Sequence, residues 1–250
     1  MRELFTCAMD IGEQMLISGA EVHRVEDSIK RMCRSFGAER ADVFIITSSM
    51  VVTLYAPGGT FFTETRRITS SGNDFERLHR LNELSREICA EKLSVAEIRE
   101  RLKRACSCRK YPFAVECICY AAIAGAFTVF FGGGLSEALV SLVIGLLGRF
   151  VLLLAEKLIT NRIFTNFFTT AVATALAFTA LSLGLIPKVD TVMTGNIMTL
   201  IPGIGMTNAL RDLLIGDSIA GLLRLTESVL NALAIAAGYF AVALLRGFLS

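Results

Sequence analysis

The chain has 250 residues, of which 53% are hydrophobic, and a formal net charge of +2. Its mean hydropathy of +0.58 is ordinary for an integral membrane protein and high for a soluble one. The length allows two domains, and the small net charge provides no broad basic field, so we expect no nucleic acid partner.

Charged residues are concentrated in the first part of the chain. Before Tyr111 lie 18 of the 25 Lys and Arg residues and 16 of the 23 Asp and Glu residues. Residues 111–250 instead hold several apolar stretches of about 20 residues, the length that a helix needs to cross a bilayer. The sequence predicts an α-helical integral membrane protein, with a small α+β cytoplasmic domain in residues 1–110 and about five transmembrane helices in residues 111–250.

The cytoplasmic domain is predicted to begin with two helices. An apolar face indicates the first helix, which starts near the N-terminus. The segment Ser18–Glu21 has the spacing of a capping box and would start the second helix, which Gly37 ends. Two more helices are expected later in the domain, one from Asn73 to about Cys89 and one opened by a capping box at Ser94.

A β-hairpin is predicted between these helix pairs. The run Asp42–Tyr55 is rich in β-branched residues, and Thr60–Thr65 also has strand character. Between the two runs, Ala56–Gly59 contains the Pro-Gly-Gly signal of a turn.

The cytoplasmic domain gives no sharp signal for an enzyme. His23 and Asp27 share a helix face, which would suit a catalytic or metal pair, but a surface pair is the stronger interpretation. No nucleotide-binding or hydrolase motif occurs in a suitable context. We therefore expect no cofactor and no catalysis, with a membrane-anchored enzyme or sensor as the alternative.

All seven cysteines lie before Ala121, and their odd number in a cytoplasmic domain favours free thiols. Cys106 and Cys108 form one close pair, and Cys117 and Cys119 form another. Because side chains two positions apart on a helix point to different faces, we expect no metal site.

Five membrane spans are predicted. Their ranges are residues 115–131, 135–155, 164–186, 191–210 and 219–245. The loops that would be cytoplasmic carry Lys157, Arg162 and Arg211, whereas the outer loops carry only Lys188. This bias and the basic residues before the first span place the N-terminal domain in the cytoplasm and the protein in the bacterial inner membrane. The N-terminus lacks the apolar core of a signal peptide.

The fourth predicted span is unusually polar. Pro202 removes a backbone donor, and Gly203 and Gly205 weaken the helix around it. Freed backbone groups at membrane depth must be satisfied by protein or by water in a cavity, and interrupted helices of this kind build substrate sites in transporters. A tightly packed kink is the alternative interpretation.

Polar residues recur on single faces of two other spans. In the third span these residues are Asn166, Thr170 and Thr174. In the fifth span they are Arg224, Glu227, Ser228 and Asn231. Ionisable residues inside a membrane are costly and by default indicate function, although an Arg224–Glu227 pair near the cytoplasmic end would also explain them.

Two segments resemble the threonine/serine exporter family. They are Ser18–Asp27, SGAEVHRVED, and Pro202–Asp217, PGIGMTNALRDLLIGD. The closer resemblance is to the split form of the family, and it covers nearly the whole chain. It implies a cytoplasmic domain followed by five spans, with a separate small membrane protein as the partner that supplies the second transporter half. Split members are associated with export of small carboxylates such as succinate, and fused members with threonine and serine.

The main hypothesis is one subunit of a secondary transporter that exports a small polar metabolite, with the lipid bilayer, the small-molecule substrate and a homo-oligomer as further expected partners. The candidate residues for substrate binding or gating are Asn196, Thr199, Pro202, Gly203, Asn208, Arg211, Asn166, Thr170 and Arg224. The candidates for ion coupling, by default to protons, are Asp212, Asp217 and Glu227. An assembly scaffold with no transport of its own is a further alternative.

Overall fold

The computed structural model describes residues 1–70, 72–107, 111–159 and 161–249. The chain divides into two compact units. The first unit comprises Met1–Arg109 and Met206–Leu225, and the second comprises Lys110–Gly205 and Thr226–Ser250. The predicted division into a cytoplasmic and a transmembrane domain stays a prediction, because compactness does not show where a membrane lies.

The first unit is built on helices that bury their apolar faces in one core. The helices of its N-terminal part are α1 (Arg2–Ile17), α2 (Val22–Ser35), α3 (Phe75–Ala90) and α4 (Val95–Cys106). Phe5, Met9, Ile29 and Leu81 are among the largest fully buried side chains. Ala220, although distant in sequence, joins the same core.

The start of α2 differs from the prediction. Helix α2 begins at Val22 with Glu21 as its N-cap, and no side chain caps it. The Ser18 hydroxyl instead donates to the Gln14 carbonyl oxygen at 2.6 Å, because Ser18 ends α1 rather than starting α2. The predicted capping box at Ser94 does form, with reciprocal bonds between Ser94 and Glu97.

The predicted hairpin is a three-stranded antiparallel sheet. Its strands are β1 (Arg40–Ile46), β2 (Ser49–Tyr55) and β3 (Phe61–Arg67), in the order β1-β2-β3. The run from Asp42 to Tyr55 therefore contains two strands, and Ile46 pairs with Ser49 across a two-residue turn. The turn residues Thr47 and Ser48 carry none of the Gly, Pro, Asn or Asp signals by which a turn is recognised, so the prediction missed it.

The second unit consists of helices. They are α5 (Phe113–Phe130), α6 (Leu135–Leu158), α7 (Arg162–Ser182) and α8 (Asp190–Ile197), followed by α9 (Gly203–Ile215) and α10 (Ser218–Leu249), which run through both units. Helices α5 and α6 pack closely through small residues. A Cβ atom added to Gly145 would lie 2.8 Å from the Ala124 Cβ atom and 2.9 Å from the Tyr120 carbonyl oxygen. Small residues allow such approach of helix backbones in membranes.

Within the described ranges, 4 helices are long and apolar enough to span a membrane: α5, α6, α7 and α10. The fourth predicted span, residues 191–210, is not one helix. This segment is interrupted between Ile197 and Gly203, and α8 has 8 residues and α9 has 13. At 1.5 Å per residue these helices are about 12 and 20 Å long, shorter than a hydrocarbon core of roughly 30 Å. Pro202 lies directly before α9, where it cannot continue a helix.

Candidate functional site

A narrow cavity with polar walls lies among helices α5 to α8 of the second unit. Its polar lining residues are Tyr120, Thr169, Thr170, Asn196 and Thr199, and the remainder are apolar or glycine. The space open to the centre of a water molecule is about 20 Å³, which corresponds to about one water molecule. In this conformation the cavity is closed to a solute as large as an amino acid.

Asn196 connects three helices at the wall of this cavity. Its Nδ2 atom donates to the Ser141 hydroxyl at 2.8 Å and to the Val192 carbonyl oxygen at 2.9 Å. The Thr128 hydroxyl on α5 lies 2.7 Å from the same Ser141 oxygen on α6. The amide is thus fixed by its donors, and its Oδ1 atom remains an acceptor for a ligand or water.

Thr170 presents an unpaired hydroxyl at the cavity. The residue is fully buried, and its Oγ1 atom has no hydrogen-bond partner among the described residues. The neighbouring Thr169 and Thr174 hydroxyls, by contrast, donate to helix carbonyl oxygens at 2.8 and 2.7 Å. Leaving a buried hydroxyl unpaired costs about 1–3 kcal/mol. A position that bears such a cost beside a cavity is suited to a water molecule or a polar solute.

Glu137 is a buried acid that the sequence analysis did not single out. Only 4% of it is exposed. Its carboxylate accepts a short hydrogen bond from the Thr191 hydroxyl and a second from the Gly134 backbone N–H at 2.7 Å. Ser141 lies one helical turn further along α6, so polar groups run from Glu137 towards Asn196. The sequence could have identified Glu137 by one signal, because an ionisable residue within a predicted span by default indicates function.

Asn166 is hydrogen-bonded to a residue of another helix. It is buried, and its Nδ2 atom donates to Asn231 Oδ1 at 3.0 Å. The Asn231 amide in turn donates to the Glu227 carbonyl oxygen at 2.8 Å. The predicted polar faces of α7 and α10 are therefore bonded to each other. The Glu227 side chain and Gly203 are exposed, and Pro202 is partly exposed.

Arg211, Asp212 and Arg224 gather in the first unit around the α1–α2 connection. Arg211 forms an ion pair with Glu21. Arg224 Nη1 lies 3.4 Å from Asp212 Oδ2, and Arg224 Nη2 donates to the Ala20 carbonyl oxygen at 2.9 Å. These contacts join the segment Ser18–Asp27 to the segment Pro202–Asp217, although the two are far apart in sequence.

Asp212 is the most constrained member of this cluster. It is fully buried, and neither carboxylate oxygen has a hydrogen-bond partner within the part of the chain that the structure describes. Burial raises the pKa of the Asp212 carboxyl above its ordinary value, and the Arg224 guanidinium acts in the opposite direction. Asp217 lies one turn further on and has one unpaired buried oxygen. Asn208 is partly exposed on α9.

The candidate residues thus lie in two places. Asn196, Thr199 and Thr170 line the cavity of the second unit, whereas Arg211, Asp212 and Arg224 form the cluster of the first unit. Their roles in transport stay predictions.

The alternative catalytic residues do not form one group. Asp27 pairs with Arg31 at 2.7 Å rather than with His23. Among the described residues, no three His, Cys, Asp or Glu side chains are grouped so that they could hold a metal ion. Cys117 is buried and Cys119 is exposed on opposite sides of α5, and Cys108 lies outside the described residues.

A family model described as "Putative threonine/serine exporter" matches residues 6–245, nearly the whole chain. No curated protein and no solved structure shows significant similarity to the chain.

Proposed function

Because the chain belongs to the threonine/serine exporter family, a family of membrane transporters, we propose that it is one subunit of a secondary exporter of threonine and serine. In this proposal it moves these solutes outward across the bacterial inner membrane, with the N-terminal domain in the cytoplasm. The multi-pass helical architecture fits this role.

The observation that carries the proposal is the polar cavity among apolar helices. Unpaired polar groups are costly in a bilayer, so they are expected only where they meet water or a solute. Thr170 and Asn196 each keep a hydrogen-bonding atom at the cavity wall that bonds to none of the described residues. A transported hydroxyl or carboxylate group would satisfy both atoms at moments when the cavity is open.

The lining favours a hydroxy amino acid over a dicarboxylate such as succinate. No arginine or lysine is among the residues that line the described part of the cavity. Two desolvated carboxylates would require cationic partners, because burying an unpaired charge is much more costly than burying a paired one. A zwitterion with a hydroxyl group carries no net charge and matches amide and hydroxyl walls.

Passage of a solute requires movement of the interrupted segment. Thr199 and Leu200 line the cavity and belong to the irregular stretch between α8 and α9. Pro202 and Gly203 end this stretch and limit its helicity. We therefore assign Pro202 and Gly203 to gating, and Asn196, Thr199 and Thr170 to solute contact.

Energy coupling is assigned to an ion gradient, since the sequence has no nucleotide-binding motif. Asp212 is the leading candidate for a proton carrier, because it is an acid whose protonated form is favoured by burial. Asp217, Glu227 and the buried Glu137 are the other carboxylates available for this role.

A separate small membrane protein is the proposed partner. Ile201 and Ile204 at the interruption are 44% and 42% exposed, respectively. Irregular backbone within a bilayer must be covered by protein or water rather than by lipid. A second transporter half, or another copy of the chain, would provide that cover.

Efflux from proteoliposomes tests the proposal. The protein is reconstituted with its candidate partner, and the liposomes are loaded with labelled threonine, serine or succinate. We expect threonine and serine to leave faster than succinate when a proton gradient is imposed. Faster efflux of succinate would contradict the assigned substrate class, and no efflux of any solute would favour the scaffold alternative.

A further inference from the structure

The first unit contains a second, larger cleft, formed by the facing polar sides of α2 and α3. Its volume is about 330 Å³, within the range of small-molecule sites. From α2 it is lined by Arg24, Ser28 and Arg31, and from α3 by Asn82, Ser85, Arg86 and Cys89. All of these residues lie in Met1–Arg109. The cleft is therefore independent of the cavity and of the proposed transport.

The spacing of these residues makes the cleft a regular feature of two helix faces. Arg24, Ser28 and Arg31 follow the i, i+4, i+7 pattern, and so do Asn82, Arg86 and Cys89. The apolar sides of both helices are buried in the core, with Ile29 of α2 and Leu81 of α3 fully buried. The helices that carry the polar groups are thus held by packing beneath the cleft.

The charge of the cleft is positive and incompletely neutralised. Three arginines line it, and no carboxylate does. Arg31 pairs with Asp27 at 2.7 Å, but Arg24 and Arg86 form no ion pair with any residue in the described ranges. Like charges held on fixed helices repel each other. An anion bound among them would remove this repulsion and make charge-assisted hydrogen bonds.

The polar groups beside the arginines complete an anion site. The Ser28 and Ser85 hydroxyls now donate to helix carbonyl oxygens at 2.8 Å each. These carbonyl oxygens also take part in the backbone hydrogen bonds of their helices. Each hydroxyl can therefore rotate towards a ligand at a small cost in free energy. Arginine forms two parallel bonds to phosphate or carboxylate oxygens.

We propose that the cleft between α2 and α3 binds a compact metabolite that carries two or more phosphate or carboxylate groups. Arg24 and Arg86, on opposite walls, each hold one anionic group, and Arg31, Ser28 and Asn82 complete the contacts. A ligand with a single anionic group reaches one wall only and binds more weakly.

Calorimetric titration of the purified full-length chain in neutral detergent tests this site. The probes are pyrophosphate and succinate, with inorganic phosphate and acetate as their counterparts with one anionic group. We expect at least one two-group probe to bind about tenfold more tightly than its counterpart, since its second anionic group adds charge-assisted hydrogen bonds to the opposite wall. Absence of binding by both two-group probes, or equal affinity for one-group and two-group probes, would overturn the proposal.

Paired variants locate the binding. The double variant Arg24→Gln/Arg86→Gln is expected to weaken binding at least about tenfold. Arg34→Gln is the matched control, because Arg34 is an exposed arginine of the same helix outside the cleft, and it should change affinity less than about twofold. Equal losses in both variants would mean that the chain attracts anions through its overall charge alone.

Cys89 supplies a local readout in the same cleft. Bound ligand should slow alkylation of Cys89, followed by peptide mass spectrometry, while Cys119 on α5 reacts at an unchanged rate. Nanodiscs of phosphatidylglycerol and of phosphatidylcholine distinguish a free anion from a lipid headgroup. Protection of Cys89 by phosphatidylglycerol, without protection by either free two-group probe, would contradict the proposed soluble ligand.

Discussion

At the scale of single residues, both the cavity and the charged cluster contain buried polar atoms without hydrogen-bond partners among the described residues. Within the described part of the chain, the Asn196 amide bonds through its Nδ2 donors and not through Oδ1, and the Thr170 hydroxyl has no hydrogen-bond partner. Asp212 is buried beside Arg224 with no hydrogen bond to either oxygen among the described residues. Such unpaired buried atoms reduce the stability of the folded protein, and they are retained where the atom has a role in function.

Replacing Thr170 by valine tests whether the Thr170 hydroxyl acts in transport or in the stability of the protein. Valine has nearly the same shape and removes the unpaired atom, so the free energy of unfolding should stay the same or rise by about 1 kcal/mol. Threonine efflux should nevertheless fall about tenfold, because a contact to the solute is lost. Thr179→Val is the control, since the exposed Thr179 hydroxyl donates to the Ala175 carbonyl oxygen on the outer face of α7. If Thr170→Val stabilises the protein and leaves efflux intact, the hydroxyl has no part in transport.

The raised pKa of Asp212 predicts how the stability of the protein depends on pH. Because burial raises its pKa in the folded state, the folded state binds more protons than the unfolded state above the ordinary value of 3.8. The stability that this group contributes is fully present below the unfolded pKa and is lost as the pH rises through the folded pKa. In Asp212→Asn, the decline of the unfolding temperature with rising pH should become shallower.

The control for this measurement is Glu76→Gln, which removes an exposed carboxylate paired with Arg80 on α3. It should leave the wild-type decline unchanged. Parallel pH curves for Asp212→Asn and the wild type would show that Asp212 titrates at its ordinary value.

At the scale of elements, the interruption between α8 and α9 is the main feature of the membrane part. The sequence predicted its position correctly from Pro202 and Gly203, but it did not reveal that neither flanking helix is long enough to span a bilayer. Helix length depends on where the backbone leaves the helical conformation. Here α8 ends at Ile197, five residues before the proline.

Extending the helix through the interruption should block transport. The double variant Pro202→Ala/Gly203→Ala removes residues that cost a helix interior about 3 and 1 kcal/mol, so α9 is expected to lengthen towards α8. Threonine efflux should fall on the order of tenfold, with the amount of folded protein unchanged, because the segment no longer moves as a gate. Pro187→Ala, in the loop before α8, should have no such effect. Normal efflux by the double variant would show that Pro202 and Gly203 are not needed for gating.

Other elements show where local sequence signals fail. The capping box at Ser94 was predicted correctly because both of its side chains are exposed and bond each other. The same spacing at Ser18 failed because Ser18 ends α1, and Glu21 is itself the N-cap of α2. The Glu21 side chain pairs with Arg211, a tertiary contact that no local pattern contains. The turn at Thr47 and Ser48 was missed because the pairing of β1 with β2 imposes it on residues whose turn preference is weak.

At the scale of the whole molecule, the two segments that carry the family resemblance contact each other in the first unit. Arg211 pairs with Glu21, and Arg224 donates to the Ala20 carbonyl oxygen. The sequence identified both segments but offered no reason for them to meet. It assigned Arg211 and Arg224 to the substrate, and this assignment stays a prediction. In the structure both residues also bond protein groups, and these bonds link the α9–α10 region to the α1–α2 connection.

The proposed division into two transporter halves predicts that the chain does not transport alone. Proteoliposomes with the chain by itself should release threonine no faster than empty ones, because the exposed interruption lacks its cover. Addition of the small membrane partner should restore efflux, and an unrelated membrane protein of similar size should not. Full efflux by the chain alone would show that it, or its homo-oligomer, is a complete transporter.

If threonine occupies the cavity lined by Thr170, Asn196 and Thr199, it should protect a thiol placed in that cavity from alkylation. In a Thr199→Cys variant reconstituted with the partner, peptide mass spectrometry follows the labelling of the introduced thiol and of the native Cys89, which is exposed on α3. We predict that threonine slows labelling at position 199 several-fold and leaves Cys89 unchanged. Equal labelling of position 199 with and without threonine, in a preparation that transports threonine, would show that threonine does not occupy this cavity.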